Sequence, residues 1–292
     1  MIVYLNGKYL PRKEAAISVD DRGFLFGDGI YEVVTVYQGH PFQMDAHLER
    51  LQDGLRALSI QGVDVDLFPE IGQRLLKENH LTDSDSTWYM QVTRGIAPRN
   101  HAFPPDDVPP TIYMAANSLH PNARFADKTI TAVLVPDVRW ARCDIKSISL
   151  VANVLVKQHA LDSGVQEAIF VRAGVVTEGT TSNLFAVFNG EVHTHPKTNY
   201  LLPGVTRDVV LTLCAELGIP VRTIPILEQD LLHADEIFIT STSIEIVPVV
   251  ALNHQPVADG SPGAITLKLK MAFQEMIALF LKQQHGEINS KS

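Results

Sequence analysis

Polar and apolar residues alternate from the first residues of the chain. "MIVYLNGKYL" holds two short alternating runs around Asn6-Gly7. Asn-Gly accepts the positive φ angles of a two-residue turn, so this stretch predicts a β-hairpin. "YEVVTVYQGHPFQM" also alternates, breaks at Gln38-Gly39, and predicts a second hairpin. The period then changes. Leu48, Leu51, Leu55 and Leu58 recur at helical spacing in "DAHLERLQDGLRALSI", with Asp45 as the expected N-cap. "LFPEIGQRLLKENHL" predicts another amphipathic helix. "STWYMQVTRG" and "PPTIYMAANSL" predict strands, joined by the polar, proline-bearing loop "IAPRNHAFPPDDV".

Periodicity fades in "NSLHPNARFADK" and then resumes. "KTITAVLVPDVRW" predicts a strand, and "NVLVKQHALDSG" a helix beginning near Asn153 and ending at Gly164. "QEAIFVRAGVVTEG" and "NLFAVFNGEVHTH" predict paired strands. "TRDVVLTLCAELGI" predicts a helix, "EIFITSTSIEIVPVVALN" strands around a Ser/Thr-rich turn, and "AITLKLKMAFQEMIALFLKQQ" a closing helix. Hairpins mixed with helices fit an α+β fold in two domains better than one parallel sheet. The expected division is an N-terminal domain over 1–118, a linker over 119–125 and a C-terminal domain over 126–292.

Composition narrows the class. Of 292 residues, 46% are hydrophobic and 20% charged, which is a globular balance. The net charge of −9 argues against a nucleic-acid surface. Two cysteines are too few for a disulfide framework and suit a reducing compartment. The N-terminus lacks the pattern of a signal peptide, and no apolar run approaches the ~18 residues that span a bilayer. A soluble, cytoplasmic protein without membrane or nucleic-acid partners and without a metal is expected.

Five local features carry candidate chemistry. Lys146 sits in "CDIKS" between Ile145 and Ile148, where strand-like sequence turns toward a helix. It is either a surface lysine or a partly buried catalytic amine. "LLPGVTRDVV" runs from a Pro-Gly turn into a helix whose free N–H groups suit a phosphate, with Thr206 adding a hydroxyl. An ordinary capped helix is the alternative. Glu178, before Gly179 and a Thr-Thr-Ser cluster, is a turn residue or the partner of a protonated ring nitrogen. "TSTSIEI" offers hydroxyls for a phosphate or for a turn. Arg99 and His101 on the polar loop suit carboxylate recognition, although surface loops often carry such pairs. A lysine, an acid, a phosphate cup and a carboxylate trap together are the parts a pyridoxal-phosphate site needs.

The order of seven stretches raises these readings together. They are "DRGFLFGDGIYEVVTVYQG" (21–39), "HLERL" (47–51), "QVTRGIAPRNHAFP" (91–104), "RWARCDIKSISL" (139–150), "VVTEGTTSNLF" (175–185), "LPGVTRDVV" (202–210) and "FITSTSIEIVPV" (238–249). In this order the chain resembles the fold-type IV pyridoxal-phosphate aminotransferases, and among them the D-amino-acid transaminases, over nearly its whole length. The resemblance implies that Lys146 is the Schiff-base lysine and moves the proton. Glu178 would partner the pyridine nitrogen and Arg50 reach the phosphate. Val205, Thr206 and Thr242 would bind the phosphate, and Leu202 pack on the ring. Tyr31, Arg99 and His101 would hold the substrate carboxylate, the last two from the neighbouring subunit of a homodimer. Threonines in "EGTTSN" stand where relatives often carry serines, which leaves the hydroxyl chemistry in place.

The implied reaction exchanges amino groups between D-amino acids, such as D-alanine or D-glutamate, and 2-oxo acids, such as pyruvate or 2-oxoglutarate. Handedness follows from geometry. One lysine works on one face of the cofactor, so the side that receives the carboxylate selects the enantiomer. Branched-chain L-amino-acid and (R)-amine transaminases share the fold, but "PRNH" speaks against both. A lyase resembling aminodeoxychorismate lyase would use the same lysine and release pyruvate without an acceptor.

Overall fold

The structure, a computed structural model, describes residues 1–119 and 128–290. The chain divides into two compact units, Met1–Pro121 with Ile145–Leu150, and Asn122–Asp144 with Val151–Ser292. Apart from Leu119, the expected linker lies outside the described residues.

In the first unit the predicted hairpin forms from β1 (Ile2–Leu5) and β2 (Lys8–Pro11), with Leu5 opposite Lys8 across Asn6-Gly7. Both turn residues have positive φ, 47° and 85°. A short helix α1 (Arg22–Phe26) precedes β3 (Gly29–Tyr37) and β4 (His40–Pro41). Helices α2 (Met44–Ala57) and α3 (Phe68–Glu78) follow, then β5 (Ser86–Thr93) and β6 (Thr111–Ser118). The sheet order is β2-β1-β6-β5-β3-β4, with every pairing antiparallel.

Alternation decides the two faces of this sheet. Ile30, Val34 and Val36 of β3 and Trp88, Met90 and Val92 of β5 join Leu51 and Leu55 of α2 and Phe68, Ile71, Leu75 and Leu76 of α3 in one buried cluster. Gly72 lets α3 lie against the Trp88 indole, since a Cβ there would collide with the ring. Emptying the fully buried Trp88 site would cost about 3–5 kcal/mol. Tyr31 and Tyr89 occupy the opposite parity. Asp45 is not the N-cap of α2: Gln43 holds that position, and Asp45 lies in the first turn, where its charge favours the helix dipole.

The second unit contains β7 (Ile130–Pro136), α4 (Val151–Asp162), β8 (Glu167–Arg172), β9 (Val175–Gly179), β10 (Asn183–Phe188) and β11 (Glu191–Thr194). It continues with α5 (Val205–Glu216), β12 (Val221–Thr223), β13 (Ile226–Leu227) and α6 (Glu228–Leu231). It ends with β14 (Glu236–Ser241), β15 (Glu245–Leu252), β16 (Gln255–Pro256) and α7 (Ala264–Ser290). Strands run in the order β12-β11-β10-β14-β15-β7-β8-β9-β13. A further bridge, Asn183 opposite Glu178, joins β10 to β9 and closes the path into a barrel-like ring. Its core includes Ile169, Val176, Leu184, Ile239 and Val247. The fold is therefore α+β, as the mixed periodicity predicts.

The lysine segment departs from its expected place in the C-terminal domain. Ile145–Leu150 belongs to the first unit. The Tyr31 N–H donates to the Lys146 carbonyl at 3.0 Å, and the Ile148 N–H donates to the Gly29 carbonyl at 3.0 Å. Ile145 enters the core of that unit. Backbone pairing and apolar burial outweigh sequence proximity. The helix behind this segment starts at Val151, two residues earlier than the pattern predicts.

Candidate active site

In the first unit, Lys146 is partly buried, and its Nζ lies 4.1 Å from the centre of the Tyr31 ring. That geometry is a cation–π contact for the ammonium form. The Tyr31 ring stacks on Tyr89 at 5.9 Å, and the Tyr89 hydroxyl donates to Gln91 Oε1 at 2.6 Å. Burial first, then the Tyr31 and Tyr113 rings, pushes the Tyr89 phenol up to about 12. Tyr89 is therefore neutral near pH 7 and donates to Gln91.

The opposite face of β3 carries an inward Glu32, where alternation calls for an apolar residue. Its carboxylate is fully buried and accepts from Arg50 Nε at 2.6 Å and Arg50 Nη2 at 2.9 Å. His47 Nδ1 lies 2.9 Å from Glu32 Oε2. Burial pushes the Glu32 carboxyl upward, but Arg50 and His47 outweigh it and hold it well below the ordinary carboxylate range. Burial lowers the His47 pKa, Glu32 opposes that shift through its hydrogen bond and charge, and the Arg50 and Lys146 charges add to the lowering. Glu32 is thus ionised, His47 is neutral at pH 7, and the Arg50 guanidinium is fixed in direction. Sequence reasoning found Arg50 but missed Glu32 and His47. A charged residue at an inward strand position was the available signal.

Arg99 and His101 lie on the exposed loop after β5. Both flank Phe26 of α1. The Arg99 guanidinium is 5.2 Å from its ring centre, and the His101 ring centre is 5.5 Å away.

In the second unit, Glu178 is buried at the bridge that closes the ring of strands. Arg139 Nη1 donates to Glu178 Oε1 at 2.6 Å. The Leu202 N–H donates to Glu178 Oε2 at 2.9 Å, and the Asn183 amide lies 3.4 Å from the same oxygen. Burial pushes the Glu178 carboxyl up to about 7 against the opposing pull of Arg139. Asp137, the other partner of Arg139, is held below its ordinary range: burial raises it, and the Arg139 hydrogen bonds and charge outweigh that effect. Sequence reasoning missed Arg139, although it stands inside "RWARCDIKS". Nothing in a linear pattern distinguishes a buried arginine from an exposed one.

Leu202 is half-buried beside this carboxylate. Gly204 caps α5 in extended geometry, and no side chain caps the helix. First-turn N–H groups there remain available to an external acceptor. Val205 and Thr206 are buried in that turn. Gly204 has a steric reason: a Cβ would collide with Asn183 Oδ1. Thr242 lies in the turn between β14 and β15, and the neighbouring Thr240 hydroxyl is buried without a hydrogen-bond partner. Among the described residues no cluster of His, Cys, Asp or Glu is suited to a metal, and no helix is long and apolar enough to cross a membrane.

The model of the class IV amino-transferase family matches residues 29–252. The D-alanine aminotransferase of Staphylococcus haemolyticus is 38% identical over 94% of this chain and 97% of its own. That of Bacillus licheniformis is 38% identical over 95% and 97%. Among solved structures, the branched-chain amino acid aminotransferase of Escherichia coli superposes with a TM-score of 0.85 at 26% identity, covering 94% of this chain and 93% of its own. The chain belongs to the class IV aminotransferase family, the fold-type IV pyridoxal-phosphate enzymes. It is an aminotransferase.

Proposed function

We propose that the enzyme moves the amino group of a D-amino acid, of the D-alanine or D-glutamate kind, to a 2-oxo acid such as pyruvate or 2-oxoglutarate. The observation that carries this reading is the pair Arg99 and His101, presented together on an exposed loop beside Phe26. A carboxylate trap on that loop sets the side on which the substrate carboxylate lies. Curated relatives at 38–39% identity named as D-alanine aminotransferases support the same substrate class. The likeness to branched-chain enzymes is one of fold.

The residues fit pyridoxal 5′-phosphate. Lys146 Nζ would be the amine that holds its aldehyde. Glu178 supplies an acid whose oxygens are held by Arg139 and Leu202, so it can face a protonated ring nitrogen without turning away. Leu202 offers an apolar surface to the ring. The start of α5 at Val205 and Thr206, with Thr242, suits the phosphate, and the Glu32-held Arg50 is assigned to it as well. When bound, the cofactor supplies an electron sink for the pair left at the substrate α-carbon. Lys146 Nζ would act as the general base toward the proton on the substrate Cα. Glu178 keeps the ring nitrogen protonated. Tyr31, Arg99 and His101 hold the carboxylate.

The reading includes a cytoplasmic homodimer whose partner subunit receives the trap loop. Val151, Val154 and Leu155 on α4 are 73%, 63% and 65% exposed, an apolar helix face that a second subunit would cover. The decisive experiment is a substrate panel of both amino-acid enantiomers with pyruvate and 2-oxoglutarate as acceptors, alongside a sedimentation measurement of oligomeric state. Turnover of D-alanine and D-glutamate by a dimer is expected. A preference for L-valine or L-leucine over every D-amino acid would overturn the reading.

A further inference from the structure

Between residues 98 and 104 the trap loop is almost wholly exposed, so apolar burial does not set its position. The structure assigns that task to Arg22, as a positioning residue that fixes Arg99 and His101 through the carbonyls of the adjoining Asn100 and Ala102. This inference rests on the carboxylate-trap reading of the loop and deepens it.

Arg22 is 3% exposed, at the start of α1. Its Nη1 donates to the Asn100 carbonyl at 2.6 Å and lies 3.3 Å from the Ala102 carbonyl. These two carbonyls bracket His101, and Asn100 directly follows Arg99. Among the described residues, the hydrogen bonds tying 98–104 to the rest of the unit come from this one guanidinium. The guanidinium is itself fixed. Its Nε donates to Asp28 Oδ2 at 2.8 Å. Asp28 also accepts from Arg94 Nε at 2.8 Å and from Arg94 Nη2 at 2.9 Å. Arg94 is anchored at the Ser59 and Leu58 carbonyls, at 3.0 and 2.6 Å. Its guanidinium stacks 3.7 Å from the centre of the Phe103 ring, a second hold on the loop.

Charge and shape agree with this function. Two arginines share one carboxylate, and after the opposing effect of burial they hold Asp28 below its ordinary range, so it stays ionised. The surplus positive charge is directed to loop carbonyls. Arg22, Asp28 and Arg94 also line, with Phe26, His101 and Phe103, one open pocket of about 330 Å³, so the clamp and the loop share a surface. Only a planar fork reaches a carboxylate with Nε and two carbonyls with Nη1; a lysine ammonium is a single point.

The experiment uses the full-length, cofactor-loaded enzyme and the variants Arg22→Ala, Arg22→Lys and Phe103→Ala, with Arg99→Ala as the reference. Phe103 is 62% exposed, so its truncation leaves the buried charges in place and keeps the test alive if an Arg22 variant fails to fold. The readouts are kcat and KM for D-alanine, the cofactor dissociation constant and the melting temperature. Arg22→Ala should raise KM roughly tenfold, the loss expected for hydrogen bonds from a charged donor, with kcat within about threefold. Arg22→Lys should fall between it and the parent, and Phe103→Ala should shift KM in the same direction. Cofactor affinity should stay unchanged in all three. An unchanged KM in Arg22→Ala and Phe103→Ala, or parallel losses in kcat, cofactor affinity and melting temperature, would overturn the assignment. If Arg99→Ala itself leaves KM unchanged, the trap reading falls. If Arg99→Ala raises KM and the Arg22 and Phe103 variants do not, only the positioning role falls.

Discussion

Arg139 Nη1 lies 2.6 Å from Glu178 Oε1, at the point where Glu178 and Asn183 close the ring of strands. Closure and chemistry therefore share one residue. The acid proposed to face the cofactor ring is locked by the same barrel geometry that fixes its backbone. Replacing Glu178 by Gln keeps the shape and the hydrogen bond from Leu202 but removes the charge. Glu178→Gln should retain the cofactor, through Lys146 and the phosphate contacts, while turnover falls by roughly 10²-fold. An altered visible spectrum should accompany the loss. Unchanged turnover and an unchanged spectrum would remove Glu178 from its assigned role.

Arg139 holds two buried carboxylates, Glu178 and Asp137. Breaking a buried ion pair from one side leaves uncompensated charge, at a cost of about 3–5 kcal/mol. Arg139→Leu should lower stability by about that much in a denaturant titration at pH 7, and Glu178 should become harder to ionise. A loss below about 1 kcal/mol, the scale of a surface pair, would mean that the contact contributes little.

The cofactor-free protein should show a pH dependence traceable to Glu178. Its pKa in the fold is raised to about 7 from an ordinary 4.5. Below pH 4.5 the group is neutral in both states and has no effect. Between pH 4.5 and 7 the unfolded chain ionises first, so the fold loses stability as pH rises, and the full penalty is present above 7. The shift corresponds to roughly 3 kcal/mol. Melting temperatures of the apo protein and of Glu178→Gln, compared from pH 5 to 8, should converge toward acid and separate toward base. Parallel curves would rule out this titration.

Lys146→Ala should abolish the covalent link to the cofactor, with its absorbance near ~410–420 nm, and lower transamination by at least roughly 10³-fold. Lys157 is the neighbouring control: its Nζ donates to the Gln166 carbonyl at 2.5 Å and lies 3.6 Å from Glu167 Oε1. Mass spectrometry after borohydride reduction should find the cofactor on Lys146 alone. A label on Lys157 in the variant would contradict the assignment.

Arg99→Ala should lower kcat/KM for D-alanine by roughly ten- to a hundredfold, the value of a hydrogen bond to a charged group. A primary amine, which has no carboxylate, should lose much less. Equal losses for both compounds would point to a structural role for the loop.

Periodicity foretold the longer strands and helices, because burial on one face imposes a repeat of two or of 3.6. The Asn6-Gly7 hairpin, α2, α3, α5 and the β14–β15 pair are all legible in this way. The ordered motifs pointed to Lys146, Glu178 and the start of α5, which stay the proposed site, since each carries a residue type that the chemistry requires. Tertiary structure decided what linear patterns do not encode. Ile145–Leu150 joins the first unit because its backbone pairs with β3 and Ile145 enters that core. Glu32 is inside because Arg50 and His47 meet it there, and Arg139 is inside because two carboxylates do. Asp28 joins Arg22 to Arg94 across 66 residues of sequence on the Arg94 side. Such partners are chosen by three-dimensional proximity and by the cost of leaving a buried charge alone, and neither leaves a period in the chain.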